Sequence, residues 1–205
     1  FIFANAVELA DDASVDGGIG TDTVQVLGTT LVDTDFTNFV NVEVLEFAGA
    51  AAHVVTLGTE TNQAFATGIT ITANLAASSL TVNGALSAVA VNATGTNNAD
   101  TLVGGSAVDS MIGGLGDDSF AGSIGADRMD GGAGFDSVDY AQSATGVAVR
   151  LDGGLSSGGL AEGDVLTGIE AVAGSGQNDS LTGTAANEAL TGGAGDDTLT
   201  GGAGS

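Results

Sequence analysis

The chain of 205 residues has no cysteine and no proline, and only two basic residues, Arg128 and Arg150, stand against 26 acidic ones. Without cysteine, neither disulfides nor thiolate metal sites can hold the fold. The formal charge of -24 argues against nucleic-acid binding, which needs Lys or Arg to neutralise phosphates. No apolar run approaches the roughly 18 residues that mark a spanning helix, so membrane insertion is not expected. The lack of proline suits stacked strands, whose backbone N–H groups are all needed for ladder hydrogen bonds.

Glycine and apolar residues dominate what is present. The chain contains 35 glycines, and 43% of its residues are hydrophobic. A glycine-rich acidic chain could be disordered, but this apolar fraction is too high for a purely solvated tail. The composition therefore favours a fold in which multivalent cations neutralise carboxylates that would otherwise repel one another.

A nine-residue unit recurs with the pattern Gly-Gly-x-Gly-x-Asp-x-apolar-x, and a period of this length is typical of a parallel β-helix. The complete copies begin at Gly17, Gly113, Gly131 and Gly192. Degenerate copies begin at Gly95, Gly104, Gly122, Gly174 and Gly183. Together they form one array over residues 95–139 and another from residue 174 to the end, with an isolated copy at residues 17–25.

The eighth position of the unit is apolar in every copy. The residues there are Val24, Leu102, Met111, Phe120, Met129, Val138, Leu181, Leu190 and Leu199. With 43% apolar residues overall, this outcome has a chance of about one in two thousand if positions were independent. The pattern predicts one short strand per copy, with its central side chain pointing inward.

The copies resemble the RTX, or haemolysin-type, calcium-binding repeats of bacterial proteins exported by type I secretion. The resemblance implies an all-β fold, a right-handed parallel β-roll or β-solenoid. In such a fold the first six residues of each copy form a Ca²⁺-binding turn and the last three form a strand. It also implies a secreted, extracellular protein, and we expect the chain to be a segment of a longer one.

Outside the arrays, residues 1–94 contain short β-branched runs that predict strands. An irregular solenoid-like segment is the preferred interpretation of these residues, and a compact β-sandwich is the alternative. One helical turn is expected at residues 36–41. Residues 140–173 resemble a spacer between RTX arrays, with a strand at residues 147–151 and a surface loop at residues 155–163.

Calcium takes six to eight oxygen ligands, more than one turn can supply, so two stacked turns must share each ion. If two copies make one coil, the Asp at position six faces its counterpart eighteen residues on. The predicted ligands are Asp100, Asp118 and Asp136 on one edge, Asp109 and Asp127 on the opposite edge, and Asp179 with Asp197. By resemblance, carbonyl groups of the turns complete the shells, among them those of Gly114, Gly116, Gly132 and Gly134. Asp22 and Glu188 are weaker candidates, and Asx-turns are the structural alternative for all the aspartates.

Nothing in the sequence indicates catalysis. His53 is the single histidine, there is no cysteine nucleophile, and the carboxylates follow the period of nine. We therefore expect a structural segment of an S-layer protein or giant adhesin on the bacterial cell surface, which folds on Ca²⁺ after export. Its other partners would be copies of itself or other surface components. The alternative is a C-terminal folding and secretion module of a secreted lipase, metalloprotease or alginate epimerase, and flanking sequence would separate the two. Ice or carbohydrate binding on a Thr-rich face is a third, weaker possibility.

Overall fold

The computed structural model describes residues 2–3, 15–65, 67–74, 76 and 78–204, and short strands dominate it. The strands are β1 (Ile2–Phe3), β2 (Val15–Asp16), β3 (Thr23–Val26), β4 (Thr30–Leu31), β5 (Phe39–Val40), β6 (Val44–Phe47), β7 (His53–Thr56), β8 (Ile69–Ala73), β9 (Leu80–Asn83), β10 (Val91–Thr94), β11 (Thr101–Val103), β12 (Ser110–Leu115), β13 (Ser119–Ala121), β14 (Arg128–Ala133), β15 (Ser137–Asp139), β16 (Ala148–Arg150), β17 (Val165–Thr167), β18 (Ala171–Ala173), β19 (Ser180–Thr182), β20 (Ala189–Thr191) and β21 (Thr198–Thr200). A short helix α1 (Thr59–Ala64) and 3-10 turns at Asp33–Phe36 and Gly159–Ala161 complete the set.

Two parallel sheets of eight strands each form the body of the protein. The first sheet has the order β1-β3-β6-β8-β10-β12-β14-β17, and the second has the order β20-β18-β15-β13-β11-β9-β7-β4. From β6 to β15 the chain alternates between the two sheets, so each coil gives one strand to each. The architecture is an all-β parallel solenoid of the β-roll kind, which confirms the predicted fold class.

Coil length is uniform in the repeat array and variable before it. In the array, Asn92 pairs with Ser110 and Ser110 with Arg128, a spacing of 18 residues. Nearer the N-terminus, Gln25 pairs with Glu46, 21 residues on. The nonapeptide array therefore builds identical coils, while the preceding coils carry longer connections.

The interior between the sheets is filled by the inward residue of each strand. Of the nine apolar residues at the eighth repeat position, seven are buried: Val24, Leu102, Met111, Phe120, Met129, Val138 and Leu181. Leu190 is half-buried against this core, and Leu199 is 48% exposed. Leu199 lies in β21, which pairs with β19 along one edge, so it has a neighbouring coil on one side.

Residues 15–94 follow the preferred solenoid-like interpretation rather than the alternative, a β-sandwich. The predicted β-branched runs each contain a strand, and these strands join the same two sheets as the array; the runs are residues 23–27, 41–47, 53–57, 68–72, 79–84 and 88–93. The helical turn expected at residues 36–41 is wrong in its position. Asp35 Oδ2 accepts the Val32 N–H at 2.8 Å and closes the turn earlier, and the following residues form β5. Phe36 packs edge-on against Phe39 and Phe65, with ring centroids 5.7 and 5.5 Å apart.

The spacer changes one sheet and leaves the other intact. The strand predicted at residues 147–151 is present as β16, and it starts a third sheet of order β16-β19-β21. The first sheet ends at β17, while the second continues from β15 to β18 across the spacer. In the predicted loop, Leu155 is 69% exposed but Ala161 is buried. The division into four segments stays a prediction, and most of residues 1–14 of the first segment lie outside the described residues.

No helix among the described residues combines the length and apolarity required to cross a bilayer.

Candidate metal sites in the turns

The acidic residues at position six of the repeat copies form ladders along the edges of the solenoid. In four pairs, one carboxylate oxygen accepts the backbone N–H of the position-six aspartate one coil earlier. The pairs, with donor first, are Asp100 and Asp118 at 2.8 Å, Asp118 and Asp136 at 2.7 Å, Asp109 and Asp127 at 2.8 Å, and Asp179 and Asp197 at 2.9 Å. The structure therefore brings together every aspartate pair that the 18-residue spacing predicts. Whether these residues bind metal stays a prediction.

The second carboxylate oxygen separates the degenerate turns from the complete ones. In the four degenerate turns whose position six is Asp, it accepts a hydrogen bond from position two of the same turn, while the fifth, with Glu188, leaves Oε2 buried without a partner. The bonds are Thr96 N–H to Asp100 at 2.6 Å, Gly105 N–H to Asp109 at 2.6 Å, Ser123 Oγ–H to Asp127 at 2.7 Å, and Ser175 N–H to Asp179 at 2.6 Å. These four carboxylates have protein donors for both oxygens.

In three complete turns the same oxygen has no partner. Oδ2 of Asp22, Asp118 and Asp136 is buried and accepts no hydrogen bond within the described structure. Position two of these turns is a glycine at φ +90, +114 and +94°, a conformation that side chains rarely adopt. The N–H of this glycine does not reach the carboxylate. Asp197, in the fourth complete turn, is only half-buried.

A backbone carbonyl from the next coil lies close to the free carboxylate oxygens of Asp118 and Asp136. A Cβ placed on Gly113 would collide with Asp118 Oδ2 and lie 2.7 Å from the Gly131 carbonyl oxygen. A Cβ placed on Gly131 would collide with the Gly168 carbonyl and lie 2.6 Å from Asp136 Oδ2. The free carboxylate oxygen and the carbonyl oxygen thus lie near the same glycine, and Ca²⁺ takes carboxylate and backbone carbonyl oxygens as ligands. The residues present therefore fit a calcium ion.

The glycines that were expected to offer carbonyl ligands stack in the same region. Gly114, Gly116, Gly132 and Gly134 all have positive φ. A Cβ on Gly132 would collide with the Gly114 carbonyl, and one on Gly134 would collide with the Gly116 carbonyl. The carbonyls of Gly114 and Gly116 thus face the following coil. Their role as ligands stays a prediction.

Burial leaves these carboxylates in an unfavourable environment. Burial, together with the charges of Asp100 and Asp136, raises the pKa of Asp118 to about 6 against an ordinary 3.8. Burial likewise raises the pKa of Asp109 to about 6. Across the described residues the one salt bridge joins Arg150 and Asp152, and it is exposed. No ion pair within the described ranges brings a positive charge to these turns, and a bound divalent ion would supply one.

Carboxylates alone cannot complete a calcium shell in these turns. The described residues contain no group of three or more His, Cys, Asp or Glu side chains placed to hold a metal. A calcium ion bound here would combine one or two carboxylate groups with backbone carbonyls and water to reach six to eight ligands.

A family model described as the RTX calcium-binding nonapeptide repeat matches four copies in this chain, over residues 94–127, 103–138 and 173–205. The chain carries RTX calcium-binding repeats. RTX repeats are structural calcium-binding units of proteins secreted by the type I route. The match covers both predicted arrays and leaves out the copy at residues 17–25. No curated protein and no solved structure matches the chain.

Sequence reasoning missed two acidic residues that continue the RTX ladders through the spacer. Asp164 Oδ1 accepts the Asp127 N–H at 2.8 Å, and Glu170 Oε2 accepts the Asp136 N–H at 2.9 Å. Both residues begin the pattern acid-x-apolar-x-Gly, in DVLTG and EAVAG, as Asp179 does in DSLTG. A search for that shorter pattern, without the glycine pair, would have found them.

The two weaker candidates occupy different environments. Asp22 has its partner 21 residues on rather than eighteen, because its N–H donates to Glu43 Oε2 at 2.9 Å. Glu188 accepts the Thr184 N–H at 2.9 Å with Oε1, while its Oε2 is buried without a partner. Glu188 and Glu170 line one open pocket of about 160 Å³ between the arrays. The metal-binding role of Asp22 and Glu188 stays a prediction.

His53 lies in the core and is fully buried. Its Nε2 is 3.1 Å from the Gly49 carbonyl oxygen, and its ring packs on Phe47 with centroids 4.9 Å apart. This is the environment of a packing residue.

Proposed function

We propose that the chain is a calcium-dependent structural segment of a large secreted bacterial surface protein, of the S-layer or giant-adhesin kind. It folds when it meets Ca²⁺ after export. The supporting observation is the unpartnered, buried oxygen on Asp118 and Asp136, each beside a carbonyl of the next coil. It occurs in a chain of formal charge -24.

The energetic argument concerns stacked negative charge. A buried carboxylate without a partner costs several kcal/mol unless it is neutralised. Extracellular calcium modules have dissociation constants of about 10⁻⁴ to 10⁻³ M. Calcium at ten times that constant stabilises the fold by about 1.4 kcal/mol per site. Several sites acting together switch the chain between a disordered form at cytosolic calcium and a folded form outside the cell.

The junction between the two arrays favours a structural role at the cell surface over a role as the C-terminal module of a secreted enzyme. The second sheet runs through eight strands and both arrays, which gives a rod of roughly 34 Å at about 4.8 Å per strand. Because β16 starts a new sheet for the second array, further arrays can be added in the same way, each with a new sheet that begins in its spacer. Tandem arrays of this kind suit a protein that builds an extended layer or stalk from copies of one block.

Circular dichroism of the full chain tests the proposal. We expect little β signal in chelator and a cooperative rise on addition of Ca²⁺. Mg²⁺ should not replace it, because Mg²⁺ demands a smaller octahedral shell. An Asp118→Asn, Asp136→Asn double variant should need more Ca²⁺ to reach the same signal. A β signal that chelator and Ca²⁺ leave unchanged would contradict the proposal.

A further inference from the structure

Two three-residue turns in different halves of the chain begin with nearly the same positive φ. They are residues 41–43, with the sequence Asn-Val-Glu, and residues 168–170, with the sequence Gly-Ile-Glu. Their first residues have φ +54 and +59°, and Asn41 is the one non-glycine residue with positive φ in the described structure. Their middle residues are 1% and 6% exposed. We call these the glutamate turns.

Each glutamate turn makes the same set of hydrogen bonds to an aspartate of the preceding coil. Glu43 Oε2 accepts the Asp22 N–H at 2.9 Å, and Glu170 Oε2 accepts the Asp136 N–H at 2.9 Å. In return, the Asp22 carbonyl accepts the N–H groups of residues 43 and 44, each at 3.1 Å. The Asp136 carbonyl accepts those of residues 170 and 171, each at 2.9 Å. The two places are one structural unit used twice.

Both aspartates end a complete Gly-Gly-x-Gly-x-Asp turn and carry a free oxygen. Oδ2 of Asp22 and of Asp136 is buried without a partner, and Asp136 as a whole is 0% exposed. The carbonyl of the first residue of the glutamate turn closes on the first glycine of the complete turn. A Cβ on Gly17 would collide with the Asn41 carbonyl, as one on Gly131 would with the Gly168 carbonyl.

We propose that each glutamate turn forms the second half of a calcium site whose first half is a complete nonapeptide turn. The aspartate Oδ2 and the carbonyl oxygen of the first turn residue are ligands. The glutamate holds the two coils together and adds negative charge beside the ion. The inference rests on the proposed calcium-dependent function. It extends calcium binding to Asp22 and Glu43, outside the residues that the RTX model matches.

The number of bound ions tests the N-terminal site. Native mass spectrometry or equilibrium dialysis of the full chain gives this number in saturating Ca²⁺. Asp22→Asn should bind one ion fewer than the wild type. Glu46→Gln is the matched control, because Glu46 lies exposed on β6 and its loss removes the same charge nearby. This control should keep the wild-type number.

Glu43→Gln provides a second variant that keeps an oxygen for the Asp22 N–H. It should weaken one site about tenfold, since calcium affinity follows the charge around the site. If Asp22→Asn does not fold, Glu43→Gln decides alone, and an affinity equal to that of Glu46→Gln overturns the inference. If the wild type binds no Ca²⁺, the proposed function fails. If it binds Ca²⁺ and Asp22→Asn keeps the full number, only this inference fails.

Discussion

The Tyr140 hydroxyl donates a hydrogen bond to Asp164 Oδ2 at 2.8 Å, and both residues are 0% exposed. The other oxygen of Asp164 accepts the Asp127 N–H at 2.8 Å. The ladder of Asp109 and Asp127 therefore ends on a carboxylate that protein donors satisfy completely. The ladder of Asp118 and Asp136, on the opposite edge, keeps free oxygens.

Removing that hydroxyl should destabilise the fold at the spacer. Tyr140→Phe leaves Asp164 Oδ2 buried without a donor, and such a loss costs about 1–3 kcal/mol. Urea unfolding in saturating Ca²⁺, followed by circular dichroism, measures the change. In an Asp164→Ala background the same substitution should cost less than half as much, because the acceptor is gone. Equal costs in the two backgrounds would exclude the hydrogen bond as the cause.

The two edges of the first array should differ in their dependence on calcium. Asp118→Asn removes a charge from an oxygen with no protein donor, whereas both oxygens of Asp109 already accept backbone N–H groups. We expect Asp118→Asn to raise the Ca²⁺ midpoint of folding about tenfold or more, because calcium affinity follows ligand charge. Asp109→Asn should raise it less. Calorimetric titration compares the variants, and a larger effect at Asp109 would refute the assignment.

Mild acid should stabilise the calcium-free fold. Burial raises the pKa of Asp109, Asp118 and Asp164 to about 6, above the ordinary 3.8. The folded chain therefore binds more protons than the unfolded chain between about pH 4 and pH 6, so stability is gained as pH falls through 6 and lost as it rises.

The comparison is the β signal of calcium-stripped protein at pH 7.5 and at pH 5. The signal should be larger at pH 5. The same comparison in 0.5 M NaCl, where surface charges are screened at about 4 Å, should keep the difference because the groups are buried. A signal that falls on acidification would show that these carboxylates are not the destabilising groups.

A methyl group should be tolerated in one turn and not in another. Gly132 has φ +94°, and a Cβ there would collide with the Gly114 carbonyl. Gly132→Ala should lower the free energy of unfolding by more than about 1 kcal/mol, since both the backbone and the close approach are incompatible with a side chain. At Gly176 a Cβ would meet nothing within 4 Å. Gly176→Ala should change stability by less than about 1 kcal/mol. Urea unfolding in Ca²⁺ ranks the two, and equal effects would disprove the role of Gly132.

The sequence predicts the regular part of this protein well because its period is the coil. Position eight is apolar, and the residue there is buried between the sheets from Leu102 to Val138. Position six is acidic, and its spacing of 18 residues is the spacing of hydrogen-bonded strands. Both positions recur every nine residues and two copies make one coil, so the period of the sequence gives the register of the strands.

The remaining features depend on contacts that have no fixed spacing. Glu43 and Glu170 accept the backbone hydrogen bond that an aspartate accepts in the regular coils, but each ends a turn of three residues rather than six. They therefore do not lie 18 residues after Asp22 and Asp136, and a search at that spacing cannot find them. The third sheet depends on β16 pairing with β19, 32 residues away across a loop. Whether an aspartate turn leaves a carboxylate oxygen free follows φ at position two, where Gly105 and Gly114 are the same residue type in different conformations.

The change of sheet at the spacer affects how such a molecule can lengthen. Because β15 pairs directly with β18, the second sheet is continuous across the spacer. Only the first sheet ends there, at β17, and β16 begins the third sheet. Insertions or deletions in the exposed part of residues 152–160 leave the strand register of the second sheet unchanged. Recombination at this point can therefore join arrays of unequal phase without a break in the rod.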